Sequence, residues 1–449
     1  MELSYSHSPF NTFIYVLLLQ VVSGYDNGLA ITPQMGWNPW NRFRGNINET
    51  LIIEMGQAMV DTGLNKLGYE YINLDDCWQI SRNSSGYIQE DKTKFPSGMR
   101  YLRDELHSLN LKFGLYSDSG LMTCQRRPGS LGYEEKDAAS YAEWKIDYLK
   151  YDNCFATGLG GGIRARYQTM HDALNATNHP ILFSMCEWGI DDPATWAGPV
   201  GNSWRTTGDI RDNWNSVTSN LDENNKWYMY AGPGQWNDPD ILEVGNSNAK
   251  TKGGGLLTIA EQRSHFTLWC LIKAPLLLGN DLRSIPSEIM EIISNPEIIA
   301  LNQDPLGKQG YKRWSSSSSS SSSSSLSSST STSTSTSSGY DDINNNMHGV
   351  DDGPIEVWAG DLAGGDVAVV LFNRSNRTQT ITAKFSDVID ADVNVDIGAS
   401  IYAHVRNLWE HSGLGVHHDK VSVIVPSHDV VALRLTKITV QQQQLLSEQ

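Results

Sequence analysis

Basic residues are scarce in this sequence. Its 449 residues carry 34 Lys and Arg against 51 Asp and Glu, a formal net charge of −17. Such a surface does not attract nucleic acid or an anionic membrane, so neither is expected as a partner. Long apolar runs are missing as well. The run Phe13 to Val22 falls short of the roughly 20 residues that a bilayer-spanning helix needs, and no later segment looks transmembrane. Cysteine is rare: Cys77, Cys124, Cys154, Cys186 and Cys270 fit no zinc spacing, and an odd count leaves at least one unpaired. Gly253 to Gly255 lack the Lys-Ser/Thr that would make a phosphate loop. His417-His418 lack a third ligand and read as solvated loop residues. The first strand-to-helix turn has no glycine fingerprint, which weakens a dinucleotide-binding reading. No metal and no cofactor are expected.

What is present begins with a leader. Residues 1–24 are expected to be a signal peptide: the apolar run is followed by small Ser23 and Gly24, although residues 1–12 contain no Lys or Arg. A buried N-terminal helix is the alternative. Sequons at Asn48, Asn83, Asn175, Asn373 and Asn376 suit a glycoprotein of the secretory pathway, lysosomal or secreted. In that oxidising route a disulfide is favoured over a metal site.

Residues 25–305 alternate short apolar runs with amphipathic segments. Strand candidates are MGW at 35, YINLDD at 71, KFGLYSD at 112, YLKYD at 148, ILFSM at 181, SWR at 203, a weak run near 235 and APLLLG at 274. Stripes through Leu51, Met55, Met59 and Leu64, and through Met99, Leu102, Leu106 and Leu109, read as helices. Alternation implies a parallel sheet. About eight strands in this length suit a closed (β/α)8 barrel better than an open doubly wound sheet. Residues 306–437 change character: VAVVLF at 367, TITAKF at 380, VSVIV at 421 and VVALRL at 430 have no helical spacers. They predict an antiparallel β-sandwich with one buried face per sheet. An insert at about 315–352, rich in Ser, Thr and Asn, and a Gln-rich tail at 438–449 bury too little apolar surface to order themselves.

The barrel topology gives the acidic strand ends a meaning. Active sites of such barrels lie at the C-terminal ends of the strands. Here those ends carry Asp75-Asp76, Tyr116 with Asp118, Lys150 with Asp152 and Cys154, Cys186-Glu187-Trp188, Arg205 with Asp209, and Asp238 with Asp240. One such acid is ordinarily a helix cap or a solvated edge. Acidic ends from five consecutive strands, with Asp238 and Asp240 after them, repel one another on one rim unless they serve a ligand or a proton. In YLKYDNC, Lys150, Asp152 and Cys154 share one strand face. Lys150 beside Asp152 would favour the ionised carboxylate that a nucleophile needs. Cys154 is placed to tie its loop to that of Cys124, worth about 3.5 kcal/mol in a chain-entropy estimate. An ordinary ion pair and two unrelated thiols are the alternative. Two carboxylates facing one bond, among acids and tryptophans such as Trp40 and Trp188, describe a sugar site; for a lone Trp, core packing is the bland alternative.

TPQMGWNPWNRF, NLDDCW, GLYSDSG, YLKYDNC, CEWG, SWRTTGD and WNDPD stand in one order over residues 28–310. Together they resemble the motifs of the α-galactosidase (melibiase) family of retaining glycoside hydrolases. The resemblance implies Asp152 as nucleophile and Asp209 as acid/base. It implies Asp75, Asp76 and Lys150 on the galactose hydroxyls, Trp40 as a sugar wall, and Arg205 and Glu187 near the 2-hydroxyl. Tyr116, the Cys124–Cys154 disulfide and Asp240 would line or brace the pocket. Asp209 is expected to be protonated at working pH and Asp152 not. Glu187 and Trp188 fill a corner that is small in the related α-N-acetylgalactosaminidases, which favours galactose. The family usually has a cysteine where this chain has Gly45, so Cys77 is expected to be free, a loss of about 3 kcal/mol. The implied activity is exo-hydrolysis of terminal α-galactosyl residues from oligosaccharides, galactomannans or glycolipids. An α-N-acetylgalactosaminidase and an inactive galactose-binding lectin are the rival readings. Monomer and homodimer are both allowed.

Overall fold

The computed structural model describes residues 25–246, 257–316, 353–389 and 400–438. Residues 1–24, expected as a signal peptide, most of the Ser/Thr-rich insert, Gly253 to Gly255 and residues 439–449 of the Gln-rich tail lie outside the described residues; Ile438, assigned to that tail, is buried and donates its N–H to the Tyr402 carbonyl at 2.9 Å.

Eight parallel strands form one sheet: β1 (Met35–Trp37), β2 (Tyr71–Asn73), β3 (Lys112–Asp118), β4 (Tyr148–Asp152), β5 (Leu182–Met185), β6 (Ser203–Arg205), β7 (Trp236–Asp238) and β8 (Leu276–Leu278). Strand β8 pairs with β1, Met35 opposite Leu276. On the other side a parallel bridge from Leu242 to Leu278, with the Leu242 N–H donating to the Leu277 carbonyl at 2.8 Å, joins the turn after β7 to β8. The eight strands thus curl into the expected barrel.

Alternation along each strand divides two environments. Leu149, Tyr151, Phe183, Met185 and Trp204 face outward into the packing of the surrounding helices. Tyr71, Tyr148, Leu182 and Leu277 face inward and fill the lumen with Trp40 and Ile241. The lumen is tight: a Cβ on Gly114 would come within 2.0 Å of Asn73 Oδ1, so only glycine fits there. The helical stripes fold as expected except at their last residues: Leu64 lies in a separate 3-10 turn, Leu64–Leu67, and Leu109 follows the end of its helix. Leu51, Ile52, Met55 and Met59 are the buried face of α1 (Glu49–Asp61), and Met99, Leu102 and Leu106 that of α2 (Met99–Ser108). Asn48 caps α1, its side chain accepting the Leu51 N–H at 2.9 Å. Then come α3 (Glu134–Glu143), α4 (Ile163–Ala176), α5 (Trp214–Asn225) and α6 (Ile259–Leu271). Between β5 and β6 a short 3-10 turn, Pro193–Thr195, stands in place of a helix. Helix α6 opens with a capping box of Thr258 and Glu261 and is buried at every residue from Gln262 to Leu271 except Arg263.

The C-terminal part is a six-stranded antiparallel sheet with a two-stranded one on its face. In sheet order the larger comprises β9 (Tyr311–Ser315), β10 (Ile355–Asp361), β11 (Val367–Asn373), β16 (Val430–Lys437), β13 (Tyr402–Asn407) and β14 (Ser412–His418); the smaller pairs β12 (Gln379–Lys384) with β15 (Lys420–Val425). Three expectations need correction. Strand β9 includes Ser315, and Ser316 N–H donates to the Ile355 carbonyl at 2.9 Å, so the first two residues assigned to the disordered insert belong to the sheet edge. His417 and His418 lie in a strand, not a loop. The larger sheet buries both faces where it crosses the barrel: all seven residues of β11 are buried. Val367, Val369 and Leu371 pack against Ile381, Val421 and Val425 of the small sheet. Ala368, Val370 and Phe372 join the barrel core, with the Phe372 ring 5.6 Å from that of Trp214 in α5. The seam also holds Arg263 of α6 against Asp429 at 2.5 Å and His428 stacked on Trp214.

Candidate active site

The inward residues at the C-terminal ends of the strands meet in one cleft. Its lining includes Trp40, Arg44, Asp75, Asp76, Tyr116, Cys124, Lys150, Asp152, Cys186, Trp188, Arg205, Asp209 and Asp240. Among the described residues, no helix is long and apolar enough to cross a membrane.

Asp152 ends β4 and is buried. The Tyr116 hydroxyl donates to its Oδ2 at 2.8 Å, and the Asn153 N–H donates to Oδ1 at 3.0 Å. Burial pushes its carboxyl up to about 6; Lys150 and the Tyr116 hydrogen bond oppose that, while Asp75 and Asp209 add to it. Lys150 does not pair with Asp152 as the strand pattern suggested. Its Nζ lies 2.8 Å from Asp75 Oδ2, which also accepts from Asn38 Nδ2 at 2.9 Å. Burial works against the Lys150 charge, but Asp75, Cys186, Asp152 and Asp240 around it hold the ammonium well above the usual lysine range. Lys150 thus stabilises the Asp152 charge from a distance and Asp75 by contact.

Asp76 is committed to the next loop. It accepts from Thr123 Oγ1 at 2.8 Å and from the N–H groups of Cys77 and Gln125 at 2.7 and 2.8 Å. Burial still raises it above the ordinary aspartate range. Cys124 and Cys154 are joined, Cα to Cα 5.2 Å, across a separation of 30 residues. Cys124 Sγ lies 3.4 Å from Asp152 Oδ2, so the disulfide forms the wall beside that carboxylate.

Arg205 organises the opposite side. It is buried, donates from Nη2 to the Thr207 carbonyl at 3.0 Å and to Asp209 Oδ1 at 3.3 Å, and reaches Asp240 Oδ1 from Nη1 at 3.1 Å. Asp240 also accepts the Ile210 and Ile241 N–H groups, at 2.8 and 2.9 Å, and holds a left-handed φ of 89°. It is a brace for the loop that carries Asp209. The Asp209 side chain is 65 % exposed at the mouth of the cleft. Trp40 presents one ring with the Arg44 guanidinium 5.4 Å from its centroid.

Glu187 is the clear correction. It is 0 % exposed and absent from the cleft lining, and neither carboxylate oxygen has a hydrogen-bond partner. Leu182, Ser184 and Cys186 share the inward parity of β5, and the ladder continues with Cys186 N–H to the Tyr151 carbonyl at 2.8 Å. Glu187 therefore points behind the sheet, where burial drives its carboxyl far above the usual range. The wall is made by its two neighbours, Cys186 and Trp188, the latter turned inward by a left-handed φ of 56°. The sequence places Cys186 on the rim but assigns it no role, although its parity with Ser184 was readable.

A second rim residue left without a role by the sequence is Asp118, 0 % exposed and inward from β3. Its oxygens accept from the N–H groups of Gly120 and Cys154 at 2.7 and 2.9 Å. Burial and the neighbouring Asp152 raise its carboxyl to about 9, so Asp118 keeps its proton when Asp152, at about 6, ionises.

Cys77, Cys186 and Cys270 are free and buried. Of the sequons, Asn48, Asn83, Asn175 and Asn376 are exposed. Asn373 is buried, and its Nδ2, the atom a glycan would need, donates to the carbonyls of Arg377, Val425 and Pro426. It is a structural amide, not a glycosylation site.

Comparison with known proteins agrees with this arrangement. A family model described as alpha galactosidase A matches residues 32–304, and one described as the alpha galactosidase C-terminal beta sandwich domain matches residues 352–435. Alpha-galactosidase 2 of Arabidopsis thaliana is 45 % identical over 430 residues, 94 % of this chain and 95 % of its own length. The alpha-galactosidase of Cyamopsis tetragonoloba is 47 % identical over 405 residues, 90 % of this chain and 86 % of its own. The crystal structure of alpha-galactosidase I from Mortierella vinacea has a TM-score of 0.78 at 37 % identity, covering 92 % of this chain and 98 % of that one. The chain belongs to the α-galactosidase (melibiase) family of glycoside hydrolases.

Proposed function

We propose that this chain is a retaining, exo-acting α-galactosidase that releases terminal non-reducing α-D-galactosyl residues. Residues 25–305 carry the chemistry and 306–437 form the supporting sandwich. The observation that supports this best is the cleft itself. Asp152, buried, oriented by Tyr116 and charge-stabilised by Lys150, shares it with Asp209, which stands at the mouth on a loop fixed by Arg205 and Asp240.

In this reading Asp152 attacks the anomeric carbon on the face opposite the leaving group while Asp209 protonates the departing oxygen, and the bond between that carbon and that oxygen breaks. A galactosyl ester on Asp152 results. Asp209, now ionised, takes a proton from water, which attacks the same carbon and frees galactose with its configuration retained. The Asp75–Lys150 pair gives an acceptor and a donor to the ring hydroxyls, with Asp76 beside it. Trp40 and Trp188 offer flat apolar faces to the C–H side of the ring. Arg205, Cys186 and Trp188 form the corner at the 2-position. Filled by an indole, that corner has little room for an acetamido group, which favours galactose over its N-acetylated analogue. The natural leaving group is an oligosaccharide, galactomannan or glycolipid.

The protein follows the secretory pathway to a lysosomal or secreted destination; the apolar leader, the exposed sequons and the disulfide support this. The test of function is direct. Asp152→Ala abolishes nitrophenol release from 4-nitrophenyl α-galactoside, and retained turnover refutes the assignment. The same assay with the N-acetyl-α-galactosaminide separates the two sugar specificities.

A further inference from the structure

Asp118, Cys124, Asp152 and Cys154 each offer one oxygen or sulfur, and these four atoms lie within 4.8 Å of one another. The two sulfurs are tied up in the disulfide. The two oxygens are held independently of it: Asp118 by the Gly120 and Cys154 N–H groups, Asp152 by the Tyr116 hydroxyl. Cys124 lines the cleft, and both cysteines are partly exposed, so a small thiol can reach the bond.

We propose that opening the Cys124–Cys154 disulfide converts this corner into a zinc site of two thiolates and two carboxylates, which blocks the cleft at Asp152. The conversion has two steps. A dithiol reductant passes two electrons and two protons to the disulfide, becoming a cyclic disulfide and leaving Cys124 and Cys154 as thiols. A zinc ion then displaces the two thiol protons and the Asp118 carboxyl proton, all three passing to solvent, and takes both sulfurs with one oxygen each from Asp118 and Asp152.

The geometry suits that ion. Tetrahedral zinc takes sulfur at about 2.3 Å and carboxylate oxygen at about 2.0–2.2 Å, so four ligand atoms roughly 3.3–3.8 Å apart are needed. The present ligand atoms lie within 4.8 Å of one another, so the bonded sulfurs must part and the widest pair close by about 1 Å, while the Cα atoms of the two cysteines, 5.2 Å apart, need little movement. Two soft thiolates select zinc over magnesium or calcium. In the oxidised chain the sulfurs are poor ligands, and two carboxylates alone do not make the site. The redox state of one bond therefore decides whether the metal binds. Loss of activity on binding rests on the reading of Asp152 as nucleophile, because the metal occupies the lone pair that would attack the sugar.

The test uses the purified full chain, reduced with dithiothreitol and desalted without oxygen, beside the untreated chain. Cobalt(II) is the optical probe and zinc the functional one. The reduced chain should bind one cobalt ion with intense sulfur-to-metal charge-transfer absorption in the near ultraviolet. Micromolar zinc should lower its turnover of 4-nitrophenyl α-galactoside at least about tenfold, and EDTA should restore it. The untreated chain should show neither effect, and the reduced Cys124→Ala/Cys154→Ala variant should show no such absorption. Equal inhibition of both chains overturns the proposal, because free Cys186 in the same cleft would then be the target. Absence of the cobalt band, or loss of near-ultraviolet circular dichroism on reduction, overturns it too. A cobalt band with undiminished turnover in zinc leaves the metal site standing and refutes the role of Asp152.

Discussion

Gly45 sits against a free thiol. An ideal Cβ built on Gly45 falls 2.8 Å from Cys77 Sγ and 3.3 Å from Cys77 Cβ. For two unbonded atoms 2.8 Å is a clash. Across a disulfide it is nearly the right distance, because bond lengths and angles set Cβ to the far sulfur at about 3.0 Å and Cβ to Cβ at about 3.5–4.5 Å. Gly45 is not among the residues with a left-handed φ, so its backbone accepts a side chain. The same site therefore predicts opposite signs for two substitutions. Gly45→Ala must push Cys77 aside and lowers stability. Gly45→Cys closes a loop of about 32 residues, which the chain-entropy relation values at about 3.7 kcal/mol. At roughly 2.1 cal/mol/K of unfolding entropy per residue over about 360 ordered residues, that is a rise of about 5 °C in Tm. Calorimetry at one scan rate reads the effect. Thiol titration of the denatured chain reads the chemistry: three reactive thiols, Cys77, Cys186 and Cys270, should become two. Four would show that the positions do not meet. Two thiols with an unchanged or lower Tm would refute the entropy argument itself, because strain in the folded chain would then outweigh the crosslink.

Further predictions concern the acids and the walls. Activity should fall as the pH drops through about 6, because Asp152 must be ionised and burial raises its carboxyl to about that value. Asp118→Asn should leave that midpoint in place if Asp118 is already neutral there; a downward shift of more than about half a unit in the kcat/KM profile would show it to be charged. Trp188→Ala should raise the rate on N-acetyl-α-galactosaminide relative to α-galactoside by at least about tenfold, and an unchanged ratio would remove Trp188 from the 2-position corner. Asn373→Ala removes a donor from the Arg377, Val425 and Pro426 carbonyls, two of which keep a second donor in Ser375 Oγ and the Asp429 N–H, and should cost about 1–3 kcal/mol in denaturant unfolding. Buried Asp238, raised to about 6, and Glu243, raised to about 8, bind protons more tightly folded than unfolded. Their stabilising effect is complete below the unfolded carboxyl values near 4 and is lost as the pH rises through 6 to 8, so Tm should be higher at pH 5 than at pH 8.

The strands of the barrel and the acids at their ends were legible because alternation is short-range: YLKYD announces its two faces within five residues. The error at Glu187 came from the point where that rule continues past the strand. Cys186 keeps the ladder and the inward parity; the chain then turns left-handed at Trp188, which no count of apolar residues reveals. Lys150 favours the Asp152 charge as its parity suggested, but its hydrogen-bonded partner was not legible. Its strand neighbour in parity is Asp152, but the closer partner, Asp75, comes from β2, two strands away in the sheet. The both-sided burial of β11 was equally out of reach, because it depends on what the second face meets, and that is α5 and α6 of the other half of the chain. Asn373 looked like a sequon because three letters say nothing about which carbonyls surround an amide.

Helix α6 belongs to the barrel by sequence order, yet its burial is completed by β11 and β16 and by Asp429 on the sandwich. Cutting the chain at the boundary between the two family matches would strip that cylinder of its cover on one side, baring Ser264 and Thr267, which bond to His428 and Trp409, to water. The dividing line that evolutionary bookkeeping draws near residue 305 is thus not a line along which the molecule comes apart. Heat or denaturant should melt both halves in a single step.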